Sequence, residues 1–472
     1  MLFTRSPKTF ITTIKAGFQH WAASLMTPVD ASSIAVFRIL FGAIMVWEVT
    51  RYFEYGRIGR YYLEPTFFFP YEFFPFISPL PGTLMYWVFF AMGIFALGVT
   101  VGFFYRASAI LFCLTYTYVF LIDKTDYNNH YYLIILVSFL LIVVDADRWA
   151  ALDRWHNPKL GIEQAPFWNV FILRAQIFVV YFLGGVAKLN PDWLVGQPIG
   201  AWLNNRAHYP VLGPFFATEW AGLIFGYGGL LFDLGIGFLL IWRPTRFLAF
   251  LLILYFNLMN AWLFSIGIFP YMMIATTILF VEPDWPRRLL RLPWRAMPKF
   301  EPRRVIPYRP WVVGFVTVYV ALQILIPLRH FLYPGEVSWT EEGHRFSWHM
   351  KLRSKSGRVA FTMIDPRTNQ TWPVDISQDL TNRQWEKMAG RPDMILQYAR
   401  YLETKFIQAG VEEPIIKVEA WASLNGRPYQ YLIYPTIDLT DVEADPLFYH
   451  TAWIVPLQTE LEDNLVRSEP EE

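Results

Sequence analysis

The chain has 472 residues, of which 54% are hydrophobic, 19% aromatic and only 17% charged. Soluble domains carry about 25% charged residues, so this composition excludes an ordinary aqueous globule and indicates an integral membrane protein. The net charge of +1 conceals two unlike parts: from Gly335 onward 22 Asp and Glu oppose 14 Lys and Arg, while the preceding part is basic. The single cysteine, Cys113, leaves no intrachain disulfide, thiolate zinc site or iron–sulfur cluster to be built. No two histidines have H-x-x-x-H spacing, which disfavours oxygen-activating di-iron chemistry, and no metal is expected.

Residues 1–30 are interrupted by Lys8, Lys15 and His20, so they read as a cytoplasmic interfacial helix rather than a cleavable signal peptide. Seven apolar runs approach the roughly 20 residues that cross a bilayer. They fall near 32–50, 83–104, 107–122, 167–187, 221–241, 246–264 and 311–328. Two shorter runs, 131–144 and 266–281, are expected to span with flanking polar residues. Residues 31–330 are therefore predicted to form a polytopic α-helical membrane domain with about nine transmembrane helices.

Positive charge fixes the orientation. Arg5, Lys8 and Lys15 precede the first run, Arg106 follows the second, Arg148, Arg154 and Lys159 follow the fourth, and Arg243 and Arg246 follow the sixth. The connection after the eighth holds Arg287, Arg288, Arg291, Arg295, Lys299, Arg303, Arg304 and Arg309. These connections and the amino terminus are expected in the cytoplasm, and the tail outside. Arg51, Arg57 and Arg60 dissent in the first outer loop, balanced by Glu48, Glu54, Glu64 and Glu72.

In the tail, 331–472, alternation at 359–364 and 415–422 predicts strands, with turns at Asp365-Pro366 and Asn425-Gly426. Helical spacing runs through 382–408. A C-terminal extracytoplasmic mixed α/β domain is predicted, with a disordered acidic last ten residues. Arg38, Arg174 and Asp233 lie deep in three runs and are expected to form a buried charge cluster.

Two polar strings sit at the outer face: Asp-Lys-Thr-Asp-Tyr-Asn-Asn-His at 123–130 and Ala-Lys-Leu-Asn-Pro-Asp-Trp at 187–193. Together with Asn257 and Asn260 they gather polar side chains from several helices at one depth, where burial without purpose is costly. Each has a plainer reading. Lys188 could snorkel to the interface or pair with Asp192, Asn128, Asn129 and His130 could cap a helix, and Asn257 and Asn260 could join helices.

These strings, with Arg-Ala-Gln-Ile-Phe-Val-Val-Tyr-Phe (174–182), Leu-Phe-Ser-Ile-Gly-Ile-Phe (263–269), Glu-Pro-Asp-Trp-Pro-Arg (282–287), Ala-Val-Phe-Arg-Ile-Leu-Phe-Gly (35–42) and Phe-Ser-Trp-His-Met (346–350), resemble vitamin K-dependent γ-glutamyl carboxylases. The resemblance runs in order from about 28 to about 460. It implies an enzyme that oxidises reduced vitamin K (phylloquinol or menaquinol) with O2 to the epoxide. The base so formed removes a glutamyl γ-proton, and CO2 then adds. It further implies Lys188 as the base toward the quinol, His130 and Asn129 beside it, and Asn128, Asn257, Asn260, Trp348 and Met350 around the cofactor. The expected partners are a glutamate-containing protein or peptide and the bilayer; no nucleic acid is indicated.

The chain departs from the animal carboxylases in having Asn257 where they have a histidine. Its one cysteine cannot make the disulfide they carry, and they continue past the point where this sequence ends, with a further β-rich region. The alternatives are a quinol epoxidase without carboxylation and a non-catalytic polytopic binding or transport protein.

Overall fold

The computed structural model describes residues 7–157, 163–264, 266–290, 308–442 and 451–461. Lys159, the basic residues from Arg291 to Arg304 and the acidic carboxyl end, expected to be disordered, lie outside the described residues.

The apolar runs become helices. After α1 (Pro7–Ser24) come α2 (Ser32–Glu54), α3 (Leu84–Val101), α4 (Tyr105–Ile122), α5 (Asn129–Val143) and α6 (Trp168–Val186). Three short helices follow, α7 (Pro191–Leu194), α8 (Ile199–Asn204) and α9 (Gly213–Phe216). Then come α10 (Glu219–Ile241), α11 (Arg246–Phe264), α12 (Phe269–Thr277), α13 (Trp285–Leu289) and α14 (Pro310–Leu328). Among the described residues seven helices are long and apolar enough to cross a membrane. The other two expected crossings, α5 and the stretch from α12 to Phe280, are shorter apolar helices, so a count of nine is not established.

Local chemistry sets several ends. Asn128 caps α5 by accepting from the His130 N–H at 3.0 Å. Gly102 closes α3 at φ +67°, a conformation that glycine adopts freely. A two-stranded ribbon of β1 (Pro28–Asp30) and β2 (Gln164–Pro166) ties the entrances of α2 and α6.

After the short α15 (Val337–Thr340) comes an antiparallel sheet ordered β4-β3-β5-β6. Its strands are β3 (Lys355–Ile364), β4 (Thr371–Pro373), β5 (Ile415–Leu424) and β6 (Gln430–Tyr431). The two predicted strands lie inside β3 and β5, which pair from Lys355 opposite Leu424 to Ile364 opposite Ile415. The predicted helical stretch divides into α16 (Asn382–Met388) and α17 (Pro392–Gln408), because Pro392 starts a new helix after Gly390. α17 buries Met394, Ile395, Tyr398, Ala399 and Leu402 on one face, the helical period packing against β3 and β5.

This domain docks on the outer loops through charge. Lys124 reaches Asp393 at 3.2 Å and Glu72 at 3.3 Å. Arg345 also holds Asp393, at 2.7 Å. Burial pushes the Asp393 carboxyl up, but Arg345 and Lys124 outweigh it and hold it well below the usual range. Arg383 pairs with Asp126, and Gln384 donates to Asp123 at 2.9 Å. The first half of the 123–130 string is therefore a docking element, and only its last residues face the site described below.

The expected cluster of Arg38, Arg174 and Asp233 does not form. Arg38 is fully buried and donates to the Ala150 carbonyl. Arg174 donates to the carbonyls of Leu279 at 2.6 Å and Val281 at 3.0 Å. Asp233 pairs instead with Lys188. Counting residues along an apolar run misjudged its depth: α10 starts beyond the end of α6, against α7–α9, which brings Asp233 level with the outer end of α6.

Orientation yields a direct test. Trypsin added outside intact cells or spheroplasts is expected to cut at the exposed Arg367–Asn369 turn. Cleavage only after permeabilisation would reverse the topology.

Candidate functional site

α6 delivers Lys188 to a buried position. Gly185 makes this possible: a Cβ there would stand 2.8 Å from the backbone nitrogen of Leu234, so only glycine lets α6 and α10 approach this closely. Lys188, 6% exposed, turns back along its own helix. Its Nζ donates to the Gly184 carbonyl at 3.3 Å and to Asp233 Oδ2 at 2.5 Å. The Trp193 ring lies 5.3 Å from the ammonium. Neither snorkelling nor pairing with Asp192 describes this lysine. Asp192 is taken by Arg427, at 2.6 and 2.7 Å, and by Asn425.

Two cavities meet here. The smaller, about 100 Å³, is lined by Lys188, Asp233, Asn257 and Asn260 among the rings and thioethers of Trp193, Trp202, Phe225, Phe256, Met259 and Met273. The larger, about 460 Å³, is basic: Arg51, Arg57, Arg353 and Arg391 line it, with Glu48 as its carboxylate. His130, Phe264, Ile266, Phe269, Met350 and Lys351 border both. The His130 ring stacks on Phe269, centroids 3.8 Å apart and planes 14° from parallel.

The segment that roofs the junction is strained. Glu341, Phe346, Trp348 and Lys351 have φ of 68°, 65°, 58° and 54°, each costing about 1 kcal/mol for a residue with a side chain. It is held by Asn129, whose Nδ2 donates to the His349 carbonyl at 3.0 Å while its Oδ1 accepts from Tyr127 at 2.8 Å. It passes directly over α6, since a Cβ on Gly184 would lie 3.2 Å from Met350 Cε and 3.6 Å from Asp233 Oδ2.

The comparisons with known proteins cover both parts of the molecule. The HTTM domain family matches residues 26–285, more than half of the chain, and the vitamin K-dependent gamma-carboxylase lumenal domain matches residues 308–460. The chain belongs to the vitamin K-dependent gamma-carboxylase family. No solved structure matches it.

Carboxylase-family membership indicates an enzyme of vitamin K-dependent carboxylase type, embedded in a membrane, with a lumenal carboxyl-terminal domain. Against this background the residues singled out in the sequence divide. Lys188, His130, Asn257, Asn260 and Met350 line the apolar cavity, and Asn128, Asn129, His130 and Met350 line the basic one. Trp348 borders neither: it is fully buried in the helical core, its ring 5.2 Å from Tyr132. The rings and thioethers lining the apolar cavity suit a planar ring system, and its amine, carboxylate and amides suit hydroxyl groups.

Sequence reasoning missed Asp233 as the partner of Lys188 and the four arginines as one pocket. For two of them a signal existed. Arg51 and Arg57 break the positive-inside pattern, and they do so because they pair with buried Glu48, at 2.6 and 3.8 Å, and line the basic cavity. Arg353 and Arg391 come from a separate domain, and no local pattern connects them to that loop.

Proposed function

We propose that this carboxylase-family enzyme oxidises reduced vitamin K, phylloquinol or menaquinol, with O2 to the epoxide in the apolar cavity. It then carboxylates a glutamyl residue of a protein or peptide with CO2 in the basic cavity. The observation that carries this reading is the shared wall: one cavity suits an apolar quinol beside an amine, the other an anionic side chain, and His130 borders both. Reduced vitamin K, when bound, supplies through its oxidation the strong base that glutamate deprotonation requires.

The protein's own part is proton handling, orientation and exclusion of water. Lys188 accepts a quinol proton only while its amine is free, and Asp233, in hydrogen-bond contact, holds a proton in that state. Such a pair shares one proton without leaving an unpaired charge in the apolar surroundings. His130, fixed by stacking on Phe269, offers a hydrogen bond from the wall between the cavities. Asn257 and Asn260, about one turn apart on α11, line the same cavity. Asn129 braces the roof through His349 and Tyr127. The burial of this unit keeps solvent protons from quenching a strong base. The amino terminus is assigned to the cytoplasm and the active face to the outside.

Purified protein incubated with reduced vitamin K, O2, labelled bicarbonate and a glutamate peptide is expected to yield epoxide and to fix label. Epoxide without fixed label would reduce the reading to a quinol epoxidase. Neither product would leave a binding or transport protein on the same fold.

A further inference from the structure

The basic cavity contains a side chain that the chemistry above leaves idle. His349 is 7% exposed and lines that cavity, and both its ring nitrogens are buried without a hydrogen-bond partner. Leaving even one such group unsatisfied costs about 1–3 kcal/mol. The cost is incurred in a segment held in left-handed conformations on either side, at Trp348 and Lys351. Its backbone carbonyl is pinned by Asn129, so the ring cannot drift away from the cavity.

Against this ring stands His330, just past the end of α14 and outside the cavity lining, centroids 4.6 Å apart with planes at 83°. His330 is partly exposed, and its Nδ1 lies 2.7 Å from the Pro327 carbonyl. That contact makes Nδ1 the donor and leaves Nε2 as a proton acceptor. The order from the cavity outward is thus His349, then the partly exposed His330; the rings stand edge to face with no direct hydrogen bond, so a proton would cross between them through a bridging water.

The proposed reaction needs such a line. Quinol, O2, CO2 and a glutamyl C–H give epoxide, water, a new carboxylate and one proton. In the balance, the two quinol hydrogens leave as water with one oxygen atom, the other oxygen enters the epoxide, and the glutamyl C–H is replaced by a C–C bond to CO2. The remaining proton originates beside the arginines of the basic cavity, where it cannot stay.

We propose that His349, handing on to His330, is the outward route for this proton, an inference that rests on the reaction proposed above. Both are positioning residues for proton exit and need not touch the substrate. A neutral imidazole accepts on one nitrogen as it releases from the other, so transfer requires no standing charge. The groups facing His349 favour that neutral form. Burial lowers it to about 3, helped by His330 and Arg329 from the end of α14, Arg353 from its own segment and Lys188 from α6. His344, its ring 5.5 Å away, borders the same cavity. Among the described residues no carboxylate pairs with His349 to trap the proton.

The test compares wild type, His349→Phe and His330→Gln in weak buffer across a pH series, reading epoxide and γ-carboxyglutamate in the first turnover and at steady state. Both variants are expected to keep the quinol KM, and His330→Gln, which lines neither cavity, also to keep the first turnover. Their steady-state rate should fall by a factor of order 10², with recovery on adding millimolar imidazole. His330→Gln alters a partly exposed residue and serves if His349→Phe fails to fold. Wild-type steady-state rates in either folded variant, or losses that imidazole does not restore, would overturn the relay. A wild type that makes no epoxide would remove the underlying reaction and the relay with it.

Discussion

Lys188→Ala is expected to lose epoxide formation by a factor of 10² or more while the protein stays folded in the membrane and still binds quinol. Lys188 is 6% exposed, with its ammonium in contact with one carboxylate and one carbonyl. If it served only as an anchor, alanine would remove one ion pair and little else, and activity would persist. If it takes the quinol proton, the chemical step disappears and binding, which rests on the surrounding rings, does not. Lys188→Arg separates the two further. A guanidinium could keep the contact with Asp233 but does not surrender its proton near neutral pH, so it should fail as alanine does. Asp233→Asn should fail as well, because the lysine proton then has no buried acceptor. The measurement is epoxide formation from pH 6 to 9, beside quinol binding followed by tryptophan fluorescence through Trp193. Near-normal turnover by Lys188→Arg would refute the base assignment and leave a kinship of fold.

The membrane part was legible because burial in lipid forces one solution. A run of apolar residues must satisfy its backbone internally, so each run becomes a helix. The outer strands were legible for the complementary reason, that β3 and β5 alternate between a packed and a wetter face. What composition could not supply was relative depth. Asp233 looked as though it belonged with Arg38 and Arg174 because all three were measured from the ends of apolar runs. The glycines at 185, 196 and 222 let α10 slide outward against α6 and the short helices, and that offset is a tertiary fact.

The site was half legible. Lys188, Asn129 and His130 stand out because polar groups at the rim of an apolar run demand a reason. Asp123, Lys124 and Asp126 stand out equally, yet they hold the outer domain through Gln384, Asp393 and Arg383. One string carries a docking surface and a cavity wall, divided within a few residues, and sequence alone gives no place to cut it. Trp348 illustrates the reverse error. It directly precedes His349 and Met350, which border the cavity, but its left-handed backbone turns it into the helical core.

Arg391→Met is expected to uncouple the two half-reactions, with epoxide formation kept and carboxylation of a glutamate peptide strongly reduced. Four arginines line the basic cavity. Arg51 is paired with Glu48 at 2.6 Å, Arg57 is held by the same carboxylate, and Arg353 contacts Glu341 at 2.5 Å. Arg391 has no carboxylate partner among the described residues; its guanidinium donates to the Met394 sulfur at 3.8 Å. Burial lowers it to about 10, and Arg353 and Arg345 add to that against the pull of Glu341, so the surroundings call for another anion. A substrate carboxylate would answer that need. Losing a charged hydrogen bond of this kind costs about 1.5–3 kcal/mol, roughly a 10- to 150-fold rise in the peptide KM. Methionine preserves the apolar stem, so the fold should survive. Arg391 does not border the apolar cavity, so the quinol half-reaction should proceed. The ratio of γ-carboxyglutamate to epoxide, taken over a series of peptide concentrations, decides the matter. An unchanged ratio and peptide KM would remove the basic cavity from substrate recognition. An equal fall in both products would instead make Arg391 a structural support of the whole site.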